Sequence, residues 1–217
     1  MSHPHWPLFD VAIRTPRLEL RYPDDELLTE LAAVVAAGIH DPAFMPFSMP
    51  WTRVPSPQLE RNSLQHWWRL RAGWSPTNWS FSGVVVVDGR PIGVQDVSGD
   101  AFAVRRAVET GSWLGLRHQG KGYGKEARAA ILHFVFAGLG AEVAYSAAFD
   151  DNPSSHAVSR SLGYEENGDV RFDREGVAAR MVRLKLTRER WEAQRRDDIE
   201  IVGLDACLDW FGVDTAA

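Results

Sequence analysis

The sequence predicts one α/β domain on a mixed sheet, and three observations predict it. Residues 109–116 form an apolar strand that runs through Gly120, Gly122 and Gly124 into helically spaced Ala127, Ala130, Ile131, Phe134 and Val135. Residues 81–87 and 91–97 flank Asp88-Gly89, a dipeptide whose favoured turn matches the twist of paired strands. Along the chain the patterns run strand, two helices, three strands, helix, strand, helix, strand, an order that suits helices packed on a sheet.

Residues 11–21 alternate around Leu18 and Leu20 and read as the first strand, entered through Thr15-Pro16 and ended by Pro23. Asp24 or Asp25 caps a helix reaching Ala37, with Leu27, Leu28, Leu31, Val34 and Val35 on one face and Gly38 at its end. Residues 40–57 are rich in proline and large apolar side chains, which excludes a regular helix but suits a packed loop. A second helix follows over 57–73. After the glycine helix, which stops near Gly138 and Gly140, residues 143–149 form a strand. Asn152-Pro153 then has the form of an N-cap with proline at the first helical position, opening a short helix to Leu162-Gly163. Residues 178–186 read as a strand and 187–196 as a helix. The domain is expected to span 1–187. The extension 188–217 carries Ile199, Ile201, Leu204, Leu208, Trp210 and Phe211, too apolar for a free tail, and is expected to pack on the domain or on a partner chain.

At 217 residues, with 45% hydrophobic and 24% charged residues, the chain has the composition of a folded domain. A net charge of −5 argues against general nucleic-acid or anionic-membrane binding, although a cationic cluster stands at residues 117–125. Cys207 is the lone cysteine, so no internal disulfide forms and a cytoplasmic location is expected. No apolar run approaches the ~18 residues of a membrane span. No histidine pair is completed by a carboxylate or thiol, so no metal is expected.

The glycine loop discriminates among phosphate-binding chemistries. A dinucleotide fingerprint requires G-x-G-x-x-G, and a P-loop requires Gly-Lys followed by a hydroxyl residue. Here the glycines fall as G-x-G-x-G, and Gly124-Lys125 is followed by Glu126. The stretch Gln119-Gly120-Lys121-Gly122-Tyr123-Gly124 instead resembles the pyrophosphate-binding motif of the GNAT N-acetyltransferases. The preceding Gly111-Ser112-Trp113-Leu114-Gly115-Leu116 narrows the likeness to the RimJ/RimL-like branch. A further match covers 151–155 and 158–164. Trp6-Pro7-Leu8-Phe9, Met45-Pro46-Phe47 and Pro50-Trp51-Thr52 resemble an actinobacterial subset, some of which use succinyl-CoA.

The resemblance, over residues 11–187, implies a largely antiparallel mixed sheet whose central strands splay around acetyl-CoA or succinyl-CoA. It implies transfer of the acyl group by direct attack of a primary amine on a small molecule, a protein N-terminus or a lysine. The cofactor clamp is Gln119, Gly120, Lys121, Gly122, Tyr123, Gly124 and Lys125, with backbone groups of Trp113, Leu114 and Leu116 along the pantetheine arm and Asn152 beside it. Glu109, at the start of the strand, is the first candidate for general base. A solvated strand-end glutamate is the alternative reading, and Asp96 is the reserve. The phenol that many relatives carry corresponds to Ser159 here, so Ser155 is the candidate group beside the sulfur, or else only a support for the helix start. The missing phenol also keeps a second function open, a non-catalytic acyl-CoA sensor or complex subunit. Arg53, Arg105, Arg106 and His118 are the candidate cations for a succinyl carboxylate. Phe44, Phe47, Trp51, Trp67, Trp68, Trp74 and Trp79 divide between acceptor pocket and core, with more of them expected in the core. A homodimer is the expected assembly.

Overall fold

A computed structural model describes residues 3–213. Nine strands form one sheet: β1 (Ala12–Arg14), β2 (Glu19–Arg21), β3 (Asn78–Val87), β4 (Arg90–Asp100), β5 (Ala107–Leu114), β6 (Val143–Phe149), β7 (Glu165–Arg174), β8 (Val177–Thr187) and β9 (Glu200–Val202). Their order is β7-β8-β6-β5-β4-β3-β2-β1-β9, and every neighbouring pair is antiparallel except β5 with β6. The helices are α1 (Asp25–Ala36), α2 (Gln58–Ala72), α3 (Phe102–Arg105), α4 (Tyr123–His133), α5 (Pro153–Ser161) and α6 (Arg188–Glu192). The mixed, mostly antiparallel sheet flanked by helices is the architecture expected from the sequence.

The two faces of the sheet bury separate clusters. On one face α1 and α2 set Leu28, Leu31 and Trp67 against Val84, Val86 and Val94. On the other α4 sets Ala130, Ile131 and Phe134 against Ile13, Leu20, Phe81, Val97 and Val108. Each fully buried leucine, isoleucine or phenylalanine contributes about 1.5–3 kcal/mol. α1 begins where the Asp24 carboxylate accepts from Leu27 N at 2.8 Å. α4 ends in one π-turn, Phe134–Gly138.

The structure redraws four elements. Residues 11–21 are not one strand. Thr15 donates across a turn to Leu18 O, from N at 2.9 Å and from Oγ1 at 3.1 Å, and the chain doubles back so that Ala12 pairs with Arg21. β7 falls where the sequence pattern shows no strand, because it lies on the sheet edge and presents almost entirely exposed polar residues. Its partner comes from the Glu175-Gly176 turn, whose positive φ values of 54° and 83° give the hairpin the twist of the strands. The predicted helix over 187–196 contracts to α6. Residues 200–202 extend the sheet by pairing with β1.

Past β9, Phe211 is fully buried and its carbonyl accepts from Trp79 Nε1 at 3.1 Å, while Trp210 O accepts from Trp74 Nε1 at 3.0 Å. Residues 1–2 and 214–217, part of the expected domain and extension, lie outside the described residues.

β5 and β6 decide where a site can form. They pair through Ala107↔Val143, Val108↔Ala144 and Glu109↔Tyr145, and there the ladder stops, although β5 continues to Leu114 and β6 to Phe149. The sheet is forked at its centre.

Candidate active site

The fork opens toward the glycine loop. Gly120 and Gly122 hold φ of +73° and +84°, a left-handed backbone that glycine adopts without cost. A Cβ on Gly120 would meet nothing within 4 Å, so the loop surface is open. α4 starts at Tyr123 behind Gly122 with no side chain capping it, which leaves its first N–H groups and dipole facing outward. Lys121 and Lys125 are exposed beside it, and among the described residues neither enters an ion pair. Together these groups fit a phosphate-bearing ligand. The Gln119 side chain is used internally, since Nε2 donates to Ile39 O and Leu114 O, both at 2.8 Å. Leu116 N likewise donates to Gly38 O at 3.1 Å. These two residues tie the loop to the end of α1 rather than presenting those donors to a ligand.

Side chains replace the missing ladder inside the fork. Thr110 Oγ1 donates to Tyr145 O at 3.0 Å, and Ser146 Oγ donates to Thr110 O at 3.4 Å. Arg128, rising from α4, donates from Nε to Gln95 Oε1 at 3.0 Å, from Nη2 to Ser112 Oγ at 3.0 Å and from Nη1 to Ser146 Oγ at 3.3 Å. One side chain thus spans β4, β5 and β6.

Two carboxylates lie on the opposite face of the sheet. Glu109 pairs with Ser98, and Asp96 with Gly111, so all four share the α1/α2 face and the acids are diagonal neighbours. Glu109 is exposed and lines a cavity of about 220 Å³ with Ser98, Asp100, Arg105 and Tyr145. Among the described residues no cation pairs with it. Asp96 differs: its Oδ1 is sealed from solvent without a hydrogen-bond partner. Burial pushes its carboxyl up to about 6, and the Ser82 hydroxyl opposite offsets only part of the effect.

The raised value has a consequence for stability. Between an ordinary carboxyl pKa of ~3.9 and about 6, the folded protein retains a proton that the unfolded chain releases. Stability therefore falls as pH rises through that window and stays lowered above it. Asp96→Asn is expected to stabilise the fold at neutral pH by about 1–3 kcal/mol, raising Tm by ~2–4 °C per kcal/mol. The gain should vanish near pH 4 in melting curves taken across the window, and a gain independent of pH would contradict the assignment.

α5 follows β6 and packs on α4. The Asn152 carboxamide oxygen accepts from Ser155 N at 3.1 Å, so Asn152 is an N-cap and Ser155 sits one turn in, partly exposed. Ser159 is 1% exposed with its hydroxyl unpartnered, so it reaches no open site. His156 is also buried and bonds to Phe149 O at 2.9 Å.

The family profile of the acetyltransferase (GNAT) domain matches residues 17–165, which contain the fork, both carboxylates, the glycine loop and α5. The chain belongs to the GNAT acetyltransferase family. Solved structures share its fold. Mycobacterium smegmatis RimJ in complex with a CoA disulfide superposes with a TM-score of 0.66 at 20% identity, over 91% of this chain and 99% of that one. RimL, a ribosomal L7/L12 α-N-protein acetyltransferase in complex with coenzyme A, gives 0.62 at 18% identity over 80% and 95%. The microcin C7 self-immunity acetyltransferase MccE, in complex with acetyl-CoA and AMP, gives 0.57 at 18% over 79% and 93%.

In this GNAT chain the aromatic residues separate by role. Trp67 and Trp79 are buried, Trp74 packs on Trp79 and Phe211, and Trp68 donates to Asp25 at 3.2 Å on the surface. Phe47, Trp51 and Trp113 instead form a track, with ring centroids 5.4 and 6.2 Å apart, that leads onto the free part of β5. The loop carrying Phe47 and Trp51 is fastened to the β7–β8 turn. Arg53 makes a two-pronged pair with Glu175 at 2.8 and 2.9 Å, and Arg174 grips Asp151 at 2.8 and 2.6 Å with its guanidinium over Phe149 and Phe44.

The candidate cations for an acyl carboxylate are committed elsewhere. Arg53 holds Glu175, Arg105 holds Asp100 at 2.7 Å, and Arg106 donates to Leu139 O at 3.3 Å. Burial and the charges of Lys121 and Arg117 hold His118 toward its neutral form. Among the described residues no cluster of three or more His, Cys, Asp or Glu is placed to hold a metal, and no helix is long and apolar enough to cross a membrane.

Two groups of site residues escaped the sequence reading. Glu126, 5% exposed in the first turn of α4, accepts from Thr15 Oγ1 at 2.6 Å, Arg17 N at 3.3 Å and Arg17 Nε at 2.6 Å. Arg17 also donates to Lys121 O at 3.2 Å and lies over the Tyr123 ring, so the first hairpin braces the glycine loop. The other is Arg128. Its sequence signal was a cation among the apolar residues Ala127, Ala129, Ala130 and Ile131, on a helix that packs against the sheet.

Proposed function

We propose that this chain moves an acetyl group from acetyl-CoA to a primary amine, which attacks the thioester directly. The observation that carries the reading is the fork between β5 and β6 opening onto an uncapped α4 N-terminus behind left-handed glycines. The fork leaves one edge of β5 without a strand partner over residues 110–114, where an extended pantetheine arm can bond to backbone groups of Trp113 and Leu114. Gly120, Lys121, Gly122, Tyr123, Gly124 and Lys125 form the pyrophosphate cradle, shaped by Gln119 and Leu116.

Glu109 takes the proton of the incoming ammonium, directly or through water, and a backbone N–H of the free part of β5 receives the developing oxyanion. Asn152 and Ser155 border the departing sulfur. The acceptor enters along Phe47, Trp51 and Trp113 and is a small-molecule amine, a protein N-terminus or a lysine. RimL, described as an α-N-protein acetyltransferase, makes the N-terminus a natural first test. Acetyl is favoured over succinyl because Arg53, Arg105 and Arg106 are already bonded within the chain and His118 is held neutral.

The test has two arms. Acetyl-CoA at a hundred times its Kd adds ~2.7 kcal/mol, so for a chain of this size Tm should rise by roughly 5–10 °C, and by less with NADH or ATP. Free thiol should then appear when amines and N-terminal peptides are offered. No shift with acetyl-CoA, succinyl-CoA or CoA refutes the donor site. A shift without thiol release across the acceptor panel would instead favour a sensor.

A further inference from the structure

Arg128 is a buried cation that no carboxylate pairs with among the described residues. It is 4% exposed, and its three side-chain partners Gln95, Ser112 and Ser146 are neutral. Tyr164, the titratable group that interacts with it from beyond α5, is buried with its hydroxyl 3.3 Å from Thr110 Oγ1, and burial pushes its phenol up, toward the neutral form, against the opposing pull of the Arg128 charge. On α4 itself Glu126 is turned to Thr15 and Arg17, and Lys125 is exposed. On the strands Asp96 and Glu109 occupy the other face, since they alternate with Gln95, Thr110 and Ser112. Burying an unpaired charge is unfavourable, and a neutral side chain of similar length would prop the strands equally well. The charge therefore needs a purpose beyond packing.

Ser112 supplies the route to that purpose. It is exposed on the free part of β5, and its oxygen accepts from Arg128 Nη2, so its own hydrogen is directed elsewhere. We propose that Arg128 is a positioning residue that holds the Ser112 hydroxyl as a donor into the fork, making the fork selective for an anionic sulfur. This rests on the donor site described above. In transfer, the incoming ammonium gives one proton to the carboxylate base, and the freed amine nitrogen bonds to the thioester carbonyl carbon. The C–S bond breaks with its electron pair leaving on sulfur as thiolate, and the second proton of the nitrogen is released to water. Ser112 then bonds to the thiolate.

The experiment compares the affinity of coenzyme A with that of desulfo-coenzyme A, which lacks the thiol, by calorimetry from ~pH 7 to ~pH 10, either side of an ordinary thiol pKa of ~8.5. In the native protein the affinity ratio should rise about tenfold over this range, the scale of one hydrogen bond to a charged group. Arg128→Lys should keep most of the rise, and Arg128→Met and Ser112→Ala should each abolish it. A native-like rise in folded Arg128→Met overturns the proposal. Should that variant fail to fold, Ser112→Ala decides alone, because Ser112 is exposed and its loss leaves the core intact. If neither ligand binds the native protein, the donor-site reading falls and this inference with it. If both bind with the same pH profile, only this inference falls.

Discussion

Glu109→Gln is expected to lower turnover by ~100-fold or more while acetyl-CoA affinity stays within a few fold. Glu109 stands at the last paired position before the fork, on the same face of β5 as Trp113, exposed and lining a cavity of about 220 Å³. An amine with a pKa of ~8–10 arrives mostly protonated, so a carboxylate must take that proton before attack. The amide keeps the shape and removes the basicity. Asp96 is the competing base, one diagonal step away on β4, and the pH profile separates the two. If Asp96 served, kcat/KM would rise with pH through about 6, where its carboxyl ionises, and Asp96→Asn would carry the large loss. Native turnover in Glu109→Gln together with a hundredfold loss in Asp96→Asn would transfer the role.

Gly122→Val should abolish coenzyme A binding, lowering affinity by at least ~100-fold, while the protein remains folded. Gly122 holds φ +84°, where a β-branched side chain costs of order 1–3 kcal/mol. Its Cβ would lie 3.2 Å from Arg17 Nη2, the guanidinium that braces the loop through Glu126 and Lys121. The added carbons also occupy the surface at the start of α4, where an anion must approach the first N–H groups. The strain falls on an exposed loop, so Tm should drop only by about 2–4 °C per kcal/mol lost. A folded variant that binds coenzyme A as the native protein does would refute the cradle.

These predictions draw unequally on sequence and structure. The glycine loop was legible because its chemistry is local: backbone that must turn left-handed leaves glycines at fixed spacing. The α5 cap was legible for the same reason, as Asn152-Pro153 satisfies N–H groups within its own first turn. The division of the tryptophans was not, because a large aromatic suits a core and a pocket equally well. Only packing against Phe211 placed Trp79 inside, and only contact with Trp51 brought Trp113 into the aromatic track.

By itself the sequence determined α1 and α2, the hairpin at Asp88-Gly89, the run from β5 through the left-handed glycines into α4, and the run from β6 into α5. Each depends on contacts among residues a few positions apart. The tertiary structure decided that β7 and β9 exist at the sheet edges, where pairing with β8 and β1 rather than apolar alternation makes a strand. It also decided that Glu126 reaches back 109 residues to Arg17, that one Asp96 oxygen is sealed and Glu109 exposed, and that Arg128 lies beneath the fork with no carboxylate paired to it among the described residues. Burial and long-range pairing set those charges, and both are properties of the packed chain that no window of neighbouring residues contains.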